Sequence, residues 1–140
     1  MSLQLEIVLR LLLAAGLSAG IGYQRERFNK AAGLRTHILI GTGAALFTIV
    51  SMYGFGGTFD PSRVAAGVVA GVGFIGAGVI FRGMRGEPEE PAERLAGLTS
   101  ASCIWITAAI GLAAGAGMYL VSAIVTAIAA GVLMLPKVRG

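Results

Sequence analysis

The stretch Gly71-Val72-Gly73-Phe74-Ile75-Gly76 decides how the chain is read, because its spacing fits the G-x-G-x-x-G pattern of a dinucleotide-binding loop. In that loop the glycines turn the chain from a strand into a soluble helix, and an acidic residue follows about 20 positions on. Here Arg63-Val64-Ala65-Ala66-Gly67-Val68-Val69-Ala70 precedes the glycines and Ala77-Gly78-Val79-Ile80-Phe81 follows them. The motif therefore lies inside one apolar run with no helix start that a phosphate can reach. Glu89 and Glu90 stand near the required offset but belong to another loop. In lipid the same residues have a different use, since small side chains let helix backbones approach closely. Gly67-x-x-x-Gly71 and Ala66-x-x-x-Ala70 read as packing faces, continued by Gly73, Gly76 and Gly78. Gly111 and Gly115, with Ala108-Ala109, offer a matching face further along. Packing within one protomer and packing between two are equally open from these residues.

Composition supports the membrane reading. Of 140 residues, 56% are hydrophobic and 13% charged, against about a quarter charged in soluble domains. The mean hydropathy is +0.82. The charges gather in short runs between apolar stretches, and no polar block is long enough for a soluble module, so residues 1–140 read as a single domain. The net charge of +4 is a matter of topology rather than nucleic-acid binding, for no basic patch is interleaved with aromatics. Cys103 is alone and reads as a small buried hydrophobe. The first residues lack the positive n-region of a secretory signal, so the first apolar run reads as a retained span.

Five runs approach the roughly 20 residues a spanning helix needs: Leu3 to Tyr23, Leu34 to Phe55, Val64 to Phe81, Leu98 to Gly117 and Met118 to Leu135. The last two are divided only by Ala114-Gly115-Ala116-Gly117. They require a tight turn, and a bent or re-entrant segment is the four-span alternative. Arg25, Arg27, Lys30 and Arg35 make the first connection basic; Arg82, Arg85 and Arg94 do the same for the third. The positive-inside rule then places the N-terminus outside and, with five spans, the tail carrying Lys137 and Arg139 in the cytoplasm. Asp60-Pro61 reads as the cap of the third span, and Glu87-Pro88-Glu89-Glu90-Pro91 as an exposed loop. The expected fold class is all-α, a polytopic bundle of five transmembrane helices.

Charges at membrane depth are costly and point to function. Glu6 and Arg10 are four residues apart and can pair on one helix face, near enough to the outer interface for anchoring or packing to explain them. Arg25, Glu26 and Arg27, with Arg35, Thr36 and His37, form a polar cluster at the cytoplasmic ends of the first two spans. Anchoring needs the basic residues but not the others. Glu26 is expected to bridge Arg27 or Arg35, and Thr36 and His37 to bond freed backbone groups. His37 is the single histidine, with no second ligand at metal spacing. No nucleophile stands beside a base and no carboxylates pair within a span, so no catalytic residue, metal site or cofactor is expected. Magnesium favours carboxylate oxygens, yet Glu6 is the only acid clearly inside an apolar run. Backbone carbonyls at a helix break leave cation transport as the alternative.

Taken in order, Gly22-Tyr23-Gln24-Arg25-Glu26-Arg27, Ala32-Gly33-Leu34-Arg35-Thr36-His37, Gly71 to Gly78, Gly97-Leu98-Thr99, Trp105 and Ala109-Ile110-Gly111 resemble the MgtC/SapB family. The resemblance covers most of the chain. It implies a bacterial inner-membrane protein tied to growth in low magnesium, acid stress and survival of pathogens in macrophages. It also implies a regulatory role, including inhibition of the F-type ATP synthase and effects on other membrane proteins. Virulence members add a soluble C-terminal ACT-like domain, and functions resting on that domain are not expected of residues 1–140. Thr99-Ser100-Ala101-Ser102 departs mildly from the Thr-Thr-Ala-Ala often found in the family. The expected protein is non-enzymatic, a homodimer packed through its glycine faces, with the lipid bilayer and other membrane proteins as partners and no nucleic acid.

Overall fold

A computed structural model describes the backbone of residues 2–56, 60–84 and 91–136, and their side chains apart from 83, 84 and 91–96. Residues 87–90 of the acidic loop lie outside these, as do Arg85, Lys137, Arg139 and the side chain of Arg94. Five helices follow one another: α1 (Leu3–Arg27), α2 (Leu34–Tyr53), α3 (Ser62–Met84), α4 (Pro91–Gly115) and α5 (Tyr119–Leu133). Among the described residues there is no strand. The first four are long and apolar enough to cross a membrane. The fifth has 15 residues, a rise of about 22 Å against a hydrocarbon core of about 30 Å.

The helix ends explain the order of turns. Asn29, at φ 55°, ends α1 in the left-handed conformation that asparagine tolerates. Behind it the Lys30 N–H donates to the Arg25 carbonyl at 3.1 Å and the Asn29 N–H to Glu26 at 3.0 Å. Gly117, at φ 87°, repeats the device after α4: Met118 N–H donates to Ala113 at 2.9 Å and Gly117 N–H to Ala114 at 3.1 Å. These paired bonds satisfy the last carbonyls and reverse the chain, so α5 is a separate helix and not a bend in α4. At the start of α3 the Asp60 carboxylate accepts from the Ser62 N–H at 3.0 Å and its hydroxyl at 2.7 Å. Those bonds hold Asp60 below its ordinary pKa of 3.8, so the cap persists at mildly acid pH and is lost only as pH falls below that value.

Helix α4 touches all the others, α1 and α2 run along each other, and α3 rests on α4 with slight contact to α2. The tight crossings are made at glycines. A Cβ on Gly22 of α1 would stand 2.8 Å from the Leu34 Cα; one on Gly115 of α4 would stand 2.6 Å from the Ala45 carbonyl oxygen. Gly41 of α2 lies against Ser18 on one side, and its backbone fills the place where Gly111 of α4 would carry a Cβ. Only glycine permits that approach, and it brings α1, α2 and α4 into one close-packed unit.

The α3 glycines behave otherwise. Gly67, Gly71, Gly73 and Gly78 meet nothing within 4 Å where a Cβ would be, so they make no packing face inside the protomer. At 100° per residue Gly67, Gly71 and Gly78 share one face of α3, while Gly76 points about 180° away from Gly67. Gly76, with Val68 and Val72, faces α4, and a Cβ there would stand 3.6 Å from the Ala101 Cβ. Gly111 is matched to Gly41 and not, as the sequence suggested, to the α3 glycines. Gly111→Ala should therefore lower stability by about 1–3 kcal/mol or more, because backbone faces backbone and neither side can yield. Gly78→Ala should cost nothing, for an alanine fits there and favours helix. Thermal unfolding of the two variants in detergent checks the contrast.

Candidate functional site

The inner face of α1 carries Arg10, Ala14, Ser18, Ile21, Gly22 and Arg25, all buried. Steps of three and four keep them on one side of the helix, and thereby place a guanidinium near each end of the bundle. Opposite, α2 turns in His37, Gly41, Ala44, Ala45 and Thr48.

At the end where α1 begins, Arg10 is 6% exposed. Its Nη2 pairs with Glu6 Oε1 at 2.5 Å, its Nη1 donates to the Gly115 carbonyl at 3.0 Å and its Nε to the Tyr119 hydroxyl at 3.3 Å. The guanidinium also lies 5.5 Å from the centre of the Tyr53 ring. Arg10 thus gathers four helices: Glu6 is on its own helix, Tyr53 ends α2, Gly115 ends α4 and Tyr119 begins α5. The carbonyl it caps is a helix C-terminus, where a cation is favoured.

At the other end the polar cluster divides. Glu26, Arg27, Arg35 and Thr36 are exposed, whereas Arg25 is 5% exposed and His37 fully buried. Glu26 makes no ion pair with Arg27 or Arg35; its carboxylate lies over Gly33, where a Cβ would stand 3.0 Å from Oε1. The expected bridge fails because those arginines point to the surface while Glu26 closes over the helix connection. His37 Nδ1 lies 2.8 Å from the Gly33 carbonyl, which can only accept, so this nitrogen carries the proton. Its Nε2 is buried without a partner, as are Ser18 Oγ, Thr42 Oγ1 and Arg25 Nε. Arg25 Nη2 donates to Ser100 Oγ at 2.8 Å. No carboxylate pairs with Arg25 among the described residues. His37 and Cys103 are within its electrostatic reach.

Reading the sequence placed Arg25 with its surface neighbours and missed Ser18, Gly41, Ser100 and Tyr119. The signal that Arg25 turns inward was available: it stands seven residues after Ser18, two helical turns on the same face. No sequence spacing reveals that Ser100 or Tyr119 meets α1, because those contacts span 75 and 109 residues. Among the described residues no three of His, Cys, Asp and Glu are grouped so as to hold a metal ion.

Four long apolar helices and a shorter fifth, tied near both ends by buried arginines, define a multi-pass helical membrane protein. The chain belongs to the MgtC family, whose profile matches residues 11–139. It is 51% identical over 121 residues to "Putative magnesium transporter YhiD" of Escherichia coli strain K12, covering 81% of this chain and 53% of that protein. It is 40% identical to SapB of Bacillus subtilis, covering 81% of this chain and 49% of the relative. With MgtC of Brucella abortus it shares 38% identity, over 85% and 47% of the two chains. The chain spans about half the length of these curated relatives. No solved structure matches it.

Arg10→Met should destabilise the fold by about 3–5 kcal/mol, since it leaves the Gly115 carbonyl and Glu6 without their partner. Arg10→Lys should recover little, because a single ammonium cannot reproduce the fork. Glu6→Gln, at a side chain 35% exposed, should cost about 1 kcal/mol or less. Unfolding temperatures of the three proteins in one detergent test this order.

Proposed function

We propose that the protein resides in the bacterial inner membrane and acts without catalysis, by lateral contact with other membrane proteins during adaptation to low magnesium and acid stress. The F-type ATP synthase is the leading partner. The observation that carries this reading is an apolar groove of about 650 Å³ between α2 and α3. Its floor holds Gly43, Ala44, Gly67 and Gly71, and its sides include Phe47 and Ile75. A floor of small residues flanked by large ones suits a transmembrane helix, which gains dispersion contact as its backbone approaches. A helix of a second copy suits the groove by the same chemistry, which is the basis for a homodimer. The expected sidedness, N-terminus outside, follows from the basic connections alone.

A Cβ at Gly67 or Gly71 meets nothing within 4 Å, so Gly67→Leu and Gly71→Leu extend into the groove without a clash at the backbone. Both should keep the wild-type unfolding temperature and lose co-purification of the ATP synthase and the dimeric fraction. Unaltered partners and oligomer size in both variants would sink this reading.

The name of the Escherichia coli relative favours a second reading, magnesium transport. Against it stand the buried ionic groups Arg10 and Arg25, which repel a divalent cation. On the first reading, liposomes containing the purified protein and a Mg²⁺-sensitive dye should fill no faster than empty ones. Faster filling would favour transport.

A further inference from the structure

One side of α4 is left uncovered by the rest of the described chain. Leu98, Ser102, Trp105 and Ala109 are all exposed, and their steps of four, three and four put them on one face of the helix. None of them lines the groove between α2 and α3. Such steps make the seam along which two helices pack in a left-handed pair, here with Leu98 and Trp105 as the large layer and Ser102 and Ala109 as the small one.

Trp105 is the unusual member. The span of α4 runs from Gly97 to Gly115, which places Trp105 next to its middle, about 15 Å from either headgroup layer. Tryptophan ordinarily collects at those layers, where its indole N–H meets water or lipid oxygen. At the centre the lipid offers only hydrocarbon, and among the described residues nothing accepts that hydrogen. Three residues earlier Ser102 has the complementary need. Its hydroxyl donates to the Leu98 carbonyl at 2.9 Å, so toward the bilayer it presents lone pairs alone. A helical side chain leans toward the N-terminus of its helix, which carries the indole to the level of Ser102.

Two copies inserted in the same sense present α4 in parallel, and a two-fold axis along the membrane normal sets equal depths opposite one another. We propose that a second copy of this chain covers this face, α4 against α4, with each Trp105 N–H donating to the Ser102 hydroxyl of the other copy. A helix of unrelated sequence would have to bring an acceptor for Trp105 and a donor for Ser102 at matching depths; this chain does so by symmetry. The small layer of Ser102 and Ala109 leaves room for the indoles. The contact is separate from the α2–α3 groove and goes beyond the reading built on it.

Cysteine cross-linking in bacterial membranes tests the face. Ala109→Cys should give a product of twice the mass of the chain, while Cys103, which is buried, and Leu12→Cys, at a lipid-facing position of α1, should give none. Energy transfer between labelled copies diluted in lipid vesicles reads the bond. Ser102→Ala and Trp105→Phe, both at exposed positions, should each weaken association about tenfold, since either removes both equivalent bonds. The double variant should be no weaker than Trp105→Phe. Absence of the Ala109→Cys product, or association unchanged in both Ser102→Ala and Trp105→Phe, would overturn the proposal. A product joined to a different protein in place of a second copy would also overturn it. Gly67→Leu and Gly71→Leu should leave the cross-link intact, so that this contact and the groove reading fail independently.

Discussion

The contact on which the rest depends is the meeting of α2 and α4 at Gly41 and Gly111, where one backbone occupies the space that a side chain on the other would need. Between helices in lipid there is little hydrophobic gain to be had, because acyl chains are as apolar as leucine. Cohesion has to come from dispersion at short range and from polar groups that have no other partner. The glycines supply the first: Gly22 sets α1 on α2, and Gly115 extends the α2–α4 contact toward the end of α4. Once those three helices are close, Ser18 and Thr107 are sealed inside, and Arg10 reaches the Gly115 carbonyl. The order of cause runs from small residues to close backbones to buried polar groups.

Much of this is legible in the sequence, and the failures are instructive. Each of the five apolar runs overlaps a helix, because length and hydropathy are local properties. The reversal before α5 was marked by its glycines, and Gly117 takes the left-handed conformation that makes it. The polar clusters were visible as departures from apolar composition, and Glu6 and Arg10 sit at a spacing that one helix face can join. What was not legible is which helix each small-residue face meets. G-x-x-x-G at Gly67 and Gly71 is the stronger pattern by eye, yet it faces an open groove, while the isolated Gly41 makes the tightest crossing. A motif says that close approach is possible; only the arrangement of the other helices says whether anything approaches. The inward turn of Arg25 is of another kind: its seven-residue spacing from Ser18 marks it, while its neighbours Glu26 and Arg27 share its composition but not its face.

The two arginines of α1 show how far a buried charge depends on what surrounds it. Arg10 has a carboxylate, a helix C-terminal carbonyl, a hydroxyl and an aromatic ring, so its charge is spread over four helices and is part of the fold. Among the described residues Arg25 has one serine. Equal burial therefore does not mean equal surroundings: among the described residues the first is met by groups on four helices, and the second by a single hydroxyl.

The same asymmetry extends to the helices. Three are locked together by backbone contact, while α3 holds to α4 by a narrow stripe of Val68, Val72 and Gly76 and leaves its other faces to the bilayer. In a soluble protein so bare an apolar helix would be an aggregation hazard; in lipid it is tolerated, because acyl chains replace the missing neighbours. Tolerance alone does not account for glycine at Gly67, Gly71 and Gly78, since alanine or leucine would face lipid as well and cost less in backbone entropy. Glycine gains its advantage over them only when another backbone comes near, and within the protomer none does. Among the described residues the glycines of α3 therefore have no packing role of the kind that Gly22, Gly41, Gly111 and Gly115 have, and the same residue type serves two different ends in one chain.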